Sequence, residues 1–188
     1  MSAADHVRAF VALELDARLR EAMGELQARL RPRLGGIRMT RPEGIHLTLR
    51  FLGDTSPEQV AALRPLLATA AAACPAAEVP VAGLGTFPER GSPRVLWLGL
   101  DVPATVFDLQ RGCERAARAA GFEREARPFK AHLTLGRWRD RAPHPELPPV
   151  DLGATRLDAL VLFKSDLRPD GAVYTPLARF ALGRPAVD

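Results

Sequence analysis

Apolar side chains, with β-branched and aromatic members among them, dominate residues 7–15, the content of a buried strand. Asp16 follows in a position suited to cap a helix, predicted to run to about Arg33 before Gly35 and Gly36 break it. A second strand is expected over residues 45–52. After it, Ser56-Pro57-Glu58 reads as an N-cap with proline in the first turn, opening a helix to about Ala73 that Pro75 stops. Residues 78–84 and 94–100 look like two strands of a hairpin, joined by a long connection over 87–93 that contains proline and glycine. A third helix is predicted over 104–120, with Gly121 where a C-cap glycine belongs, and a strand over 131–136 follows a short basic segment. Residues 139–149 are proline-rich and irregular, the candidate for a mobile surface loop. The last strands are expected over 156–163 and 173–182.

Within this pattern one tetrapeptide occurs twice, as His46-Leu47-Thr48-Leu49 and His132-Leu133-Thr134-Leu135. Both copies fall on predicted strands, and each run that carries one also contains a helix and paired strands. The spacing is too long for a solenoid repeat and fits two lobes related by a pseudo-twofold. Strand alternation puts His46 and Thr48 on one face and Leu47 and Leu49 on the other, and does the same for His132 and Thr134. Each segment thus presents an imidazole and a hydroxyl while anchoring itself in a core through two leucines.

Composition narrows the class. A chain of 188 residues with 47% hydrophobic content can bury a substantial core, so one compact bilobal unit over residues 1–188 is expected. The longest apolar run, residues 68–84, is broken by Pro75, Glu78 and Pro80, which argues against a membrane span. Asp5 and Glu14 lie where a secretory signal would be basic and then apolar, so a cytoplasmic protein without membrane association is expected. Cys74 and Cys113 are too few for a disulfide framework and lack metal-knuckle spacing; both are expected to be reduced thiols on helices. The pI of about 9.8 overstates the charge, because 26 basic against 22 acidic residues leaves only +4. Only Lys130 and Lys164 are lysines, and nucleotide bias explains such an Arg- and Ala-rich composition as well as phosphate binding does. Charge alone therefore does not establish an RNA ligand.

The repeated histidines carry the chemistry. One neutral imidazole can take a proton from a water attacking phosphorus in line while a second, protonated, delivers one to the departing ribose oxygen. Histidine suits both tasks because its unperturbed pKa is about 6.5. Thr48 and Thr134 can donate hydrogen bonds to nonbridging oxygens, where charge concentrates in the transition state. Neither a metal nor a cofactor is required. A single histidine on an apolar strand is more often a satisfied structural residue; it is the repetition that points to catalysis. His6 and His144 lack the setting and are expected to be solvated.

The chain resembles the 2H phosphoesterases, and within them the RNA 2′,3′-cyclic phosphodiesterases once described as 2′-5′ RNA ligases. The likeness lies in residues 8–15, in His46-Leu47-Thr48-Leu49-Arg50-Phe51-Leu52-Gly53 after Ile45, and in Val95-Leu96-Trp97-Leu98-Gly99. It continues through Pro128-Phe129-Lys130-Ala131 into His132-Leu133-Thr134-Leu135-Gly136-Arg137 and ends in Tyr174-Thr175-Pro176-Leu177. The resemblance implies a bilobal α+β fold with antiparallel sheets lining a central groove and helices outside. It implies that His46 is the proton donor and His132 the acceptor, that a 2′-phosphate is left, and that Arg137 lies near the phosphate. Strict alternation turns Arg137 away from His132, so its role needs a bulge or strand end around Gly136. Two positions depart from the pattern. Ala131 stands where proline is common, and Arg50, on the His46 face by parity, stands where a small residue is usual, either adding charge to the groove or lying past its edge. For Phe51 and Trp97 core packing is expected over base stacking; Phe10 and Tyr174 stay open. The expected partner is RNA with a 2′,3′-cyclic phosphate end or a small cyclic nucleotide, acted on by a monomer. The competing readings are a noncatalytic nucleotide-binding module, a metalloprotein using His46 and His132, and a relative acting on another cyclic nucleotide or joining 2′-5′ ends.

Overall fold

The structure, a computed structural model, describes residues 6–168 and 171–183. Its first strand, β1 (Val7–Leu13), leads into helix α1 (Ala17–Leu30), with Asp16 accepting the backbone N–H of Leu19 at 2.7 Å as the N-cap. A single 3-10 turn over Arg31–Arg33 ends that helix. The short β2 (Ile37–Met39) precedes β3 (Leu47–Thr55), which carries the first histidine motif. Helix α2 (Pro57–Ala72) opens with a full capping box, Ser56 and Gln59 bonding each other's backbone N–H. Then follow β4 (Ala77–Phe87), β5 (Val95–Leu100), helix α3 (Ala104–Ala119) and β6 (His132–Trp138) with the second motif. Strands β7 (Asp151–Leu157), β8 (Ala159–Arg168) and β9 (Gly171–Ala181) complete the described chain.

The fold is α+β, as expected: two curled antiparallel sheets with three helices. One sheet has the order β3-β1-β8-β9 and the other β2-β6-β5-β4-β7. The internal duplication is visible in the connections. In one sheet β1, α1 and β3 form a strand, a helix and a strand that returns antiparallel beside the first; in the other, β5, α3 and β6 do the same. The two motif strands therefore hold equivalent places, with one difference. β3 is the edge of its sheet, whereas β6 is covered by β2.

The helices pack outside the sheets and bind them through satisfied polar groups as well as apolar ones. Gln27 of α1, buried among leucines, donates through Nε2 to the carbonyls of Leu135 and Thr40 at 2.8 and 2.7 Å, and the Asp16 carboxylate accepts from Thr155 Oγ1 of β7 at 2.9 Å. On the other side, Gln59 of α2 donates to the Ala120 carbonyl beyond α3. Leu47, Leu49, Leu133 and Leu135 are all buried in the main core, the anchoring expected of the two motifs.

Several local expectations change. β2 was not expected, because three residues paired with β6 are too short for alternation to show. The single strand expected over 156–163 is two strands: β7 pairs with β4 and β8 with β1 and β9, the chain changing sheets at Asp158. Arg156 and Asp158, both more than half exposed, lie at that crossing between buried Leu157 and Ala159, but polar residues alternating with apolar ones read as one continuous strand. Cys74 lies in the turn after α2, not in a helix, while Cys113 is within α3. Both thiols are free and buried, and burial, followed by the neighbouring Cys74, pushes Cys113 up to about 12. Residues 139–149 have no helix or strand, and His144 is exposed as expected, while its Nε2 pairs with Thr86 Oγ1 at 3.1 Å and the Ala142 N–H donates to Ser92 Oγ. Among the described residues no helix is long and apolar enough to cross a membrane.

Candidate active site

Both motifs open onto the space between the sheets. A cavity of about 400 Å³ is lined by His46, Thr48, His132 and Thr134 together, and a second of about 470 Å³ adjoins it through His46, Thr48, Thr134, Phe51, Arg127 and Arg137. In each motif the leucines between the polar residues face the core, so alternation delivers the two imidazoles and two hydroxyls to one cleft.

Past the threonines, alternation fails in both strands at the same place. In β6, Trp97 of β5 stands opposite Thr134 but Leu96 stands opposite Gly136, which leaves Leu135 as the extra residue of a bulge. Leu135 and Gly136 are both buried, and Arg137 returns to the cleft face. This is the bulge that Arg137 required. In β3 the partner of Ala12 is Thr48 and that of Val11 is Arg50, so Leu49 is bulged in the same way. Leu49 and Arg50 are buried, and Phe51, the counterpart of Arg137, faces the cleft with 52% of its surface exposed. Core packing of Phe51, expected above, is thus overturned. Aligning the two motifs against each other would have found it, since Phe51 follows His46 at the offset by which Arg137 follows His132. Trp97, by contrast, packs against Phe87 and lies over Gly85, where a Cβ would come within 2.1 Å of its ring.

The two bulges admit different residues for a physical reason. At Gly136 a Cβ would meet Ile37 at 2.9 Å and the Arg38 carbonyl at 3.0 Å, because β2 runs alongside. Among the described residues no strand covers β3 there, and Arg50, at the wall of the cavity, reaches toward α3. Its Nε lies 2.6 Å from Glu114 Oε2 and its Nη1 4.0 Å from Glu125 Oε2, and the guanidinium also donates to the carbonyls of Phe51 and Glu123. Arg50 does border the cavity of His46 and His132, but its charge is met there by Glu114 and Glu125, and it ties the irregular segment before β6 to β3.

The histidines share a second-layer contact and differ in surroundings. His132 Nδ1 lies 2.7 Å from the Lys130 carbonyl, two residues upstream, so Nδ1 carries the proton and Nε2 is left with its lone pair. The Gly44 carbonyl, also two residues upstream, favours the protonated form of His46. His46 sits in a nest of Phe163, Tyr174 and Phe10, with ring centroids at 4.5, 5.6 and 6.1 Å, and only 9% of its surface is exposed. Burial, and then the charge of Arg20, push His46 down to about 4 against the opposing pull of the Gly44 carbonyl and Glu14. His132, edge-on to Phe87 at 5.1 Å, is lowered too, first by burial and then by Arg137, with the Lys130 carbonyl opposing. Both imidazoles are therefore weighted toward the neutral form near pH 7. Among the described residues no group of three His, Cys, Asp or Glu is placed to hold a metal ion.

Comparison with known proteins gives a consistent result. A family model described as LigT like Phosphoesterase matches residues 13–97 and 100–174. The chain is 33% identical over 183 residues to a Methanothermobacter thermautotrophicus protein named RNA 2′,3′-cyclic phosphodiesterase, covering 94% of this chain and 99% of that one. A Thermus thermophilus protein of the same name is 35% identical over 189 residues, covering 94% and 90%. Among solved structures, E. coli LigT complexed with 3′-AMP superposes with a TM-score of 0.83 at 30% identity, covering 94% of this chain and 98% of that one. A crystal structure of a Thermus thermophilus protein gives 0.82 at 32% identity over the same shares.

Proposed function

The chain belongs to the LigT-like phosphoesterase family, and from that premise we propose that it hydrolyses RNA 2′,3′-cyclic phosphate ends to 2′-phosphomonoesters with its two motif histidines and no metal. The observation that carries this reading is the meeting of both imidazoles and both threonine hydroxyls in one cavity. His132 is the base. The Lys130 carbonyl holds its Nδ1 proton, and the Nε2 lone pair takes a proton from the water that attacks phosphorus. His46 is the acid, protonating the 3′ oxygen as its bond to phosphorus breaks. Thr48, Thr134 and the Arg137 guanidinium hold the nonbridging oxygens, with the arginine contributing most because it carries a full charge.

A neutral His46 cannot act as an acid, so the substrate must help. An anionic cyclic phosphate beside a desolvated imidazole favours its protonated form. The two imidazoles titrate as a pair, and kcat/KM reports them in the free enzyme whereas kcat reports them in the complex. Because both are lowered from 6.5, the kcat/KM bell should lie on the acid side of neutral, and the kcat profile, measured with the anionic substrate bound, should be displaced to higher pH. Initial rates on a cyclic-phosphate substrate across pH test this; a kcat/KM that climbs with pH through neutrality overturns it.

Exhaustive chelation should leave turnover unchanged within error, since the proton transfers assigned to His46 and His132 leave no task for a Lewis acid. Loss of activity on chelation with recovery on added zinc or manganese would replace this mechanism by a metal-dependent one.

A further inference from the structure

The cavity on the His46 side extends well beyond the histidines, and its far end has a chemistry that opening a cyclic phosphate does not use. β1 alternates cleanly: Ala9, Val11 and Leu13 belong to the main core, while Phe10 and Ala12 form a small cluster on the opposite face with Phe163 and Tyr174. Arg8 shares the Phe10 face and lies about 7 Å further along the strand. Ala9 pairs with Lys164, which sets Arg8 beside Ser165, and Ser165 in turn pairs with Tyr174. Arg8, Ser165 and Tyr174 thus form a row across three strands, and all three line the cavity.

Among the described residues Arg8 has no carboxylate to neutralise it. Its cross-strand neighbour in β3 is Asp54, but Asp54 accepts from His6 Nδ1 at 2.8 Å, and Arg8 makes no ion pair among the described residues. Among those residues no aspartate or glutamate lines this cavity, while Arg8, Arg127 and Arg137 do. Arg127 is paired with Glu125 at 3.3 Å. The reacting phosphate carries one negative charge and has Arg137, so Arg8 is a cation in excess of what that phosphate needs. Ser165 is 9% exposed and its hydroxyl has no hydrogen-bond partner among the described residues. Burial raises the Tyr174 hydroxyl, and Arg137 and Arg8 both pull it back, so it stands within the field of both guanidinium groups.

The mechanism gives the direction of the chain. His132 lines only the other cavity, so water approaches from there. The ribose whose 3′ oxygen receives the proton of His46 must lie on the opposite side of phosphorus, and its 5′ oxygen leads away from His132. Resting on the function proposed above, we propose that Arg8 and Ser165 form a second anion subsite, for the phosphodiester joining the terminal nucleotide to the one before it. The enzyme is then built for an RNA end rather than a free mononucleotide.

Three substrates with the same terminal nucleoside test this: adenosine 2′,3′-cyclic phosphate with a free 5′ hydroxyl, the same compound with a 5′-phosphate, and the dinucleotide ApA ending in a 2′,3′-cyclic phosphate. The intact enzyme should prefer the dinucleotide. Arg8→Ala should lower kcat/KM on the dinucleotide about tenfold more than on the 5′-hydroxyl compound, chiefly through KM, as expected for loss of a charge-assisted hydrogen bond. Arg8→Lys should recover part of the difference and Ser165→Ala should lose less of it. Equal losses on all three substrates, or none, overturn the subsite. A loss confined to the 5′-phosphate compound overturns the diester assignment in favour of a terminal phosphate. If the intact enzyme opens none of the three, the proposed function itself fails, and the subsite with it.

Discussion

Replacing His132 by alanine should lower kcat on a cyclic-phosphate substrate by about 10² or more, because attack must then proceed without a base held beside the incoming water. The loss should appear in kcat and not only in KM. In the proposed mechanism the imidazole works on a proton that moves in the transition state, whereas Arg137 and the threonines remain to bind the substrate. His46→Ala should cost a similar factor, by stranding the 3′ oxygen without a proton. Its fold needs a separate check, since His46 fills the space between Phe10, Phe163 and Tyr174, and truncation there leaves a cavity among aromatic rings. His46→Gln keeps most of the volume and should be as inactive. Thr48→Ala and Thr134→Ala should be milder, each removing one neutral donor among several. Single-turnover rates with melting curves on the same preparations decide the matter. Near-normal kcat in either histidine variant sinks the assignment, and a threonine variant as damaged as both would move the proton-transfer role.

Arg50→Ala should destabilise the fold by about 3 kcal/mol, as when one partner of a buried ion pair is removed. Arg50 is 7% exposed and gathers Glu114, Glu125 and two backbone carbonyls, so its loss strands a carboxylate between β3 and α3 and frees the segment that leads into His132. For a chain of this size that is a fall in Tm of roughly 6–12 °C. Removing Glu114 as well should restore part of the loss, since the uncompensated charge leaves with it. Urea denaturation of the single and double variants measures this. A single variant within experimental error of the parent, or a double variant whose losses simply add, would show that the pair does not hold the two elements together.

The contrast between Arg50 and Arg137 shows where reading the chain by parity stops. Both lie just past an HLTL segment, and simple alternation turns Arg137 out of the groove and leaves Arg50 free within it; the structure brings Arg137 to the cleft face and leaves Arg50 buried at the cavity wall, tied to Glu114 and Glu125. The extra residue just past each threonine, Leu49 and Leu135, inverts the side chains that immediately follow it. For Arg137 the glycine before it was a legible hint. For Arg50 nothing local was, and its destination depends on Glu114 and Glu125, more than sixty residues away.

The sequence by itself determined the elements whose causes are local. Asp16 and the Ser56-Gln59 box start their helices, Gly121 follows α3 with a φ of +88°, and the leucines of both motifs face the core. The repeated tetrapeptide also determined that the chain has two equivalent halves, because a period needs no tertiary information to be seen. Tertiary structure decided what depends on partners distant in the chain. The change of sheets at Asp158 depends on pairing with β4 before it and with β1 and β9 after it, partners distant in the chain. The exposure of Phe51 follows from a bulge, and the bulge that turns Arg50 inward is tolerated because β3 is an edge strand. The unequal settings of the two histidines follow from which rings the two sheets bring against them: three aromatic rings for His46 and one for His132. Identical tetrapeptides acquire different proton affinities because desolvation and nearby charge are properties of the space around an imidazole, not of its neighbours in the chain.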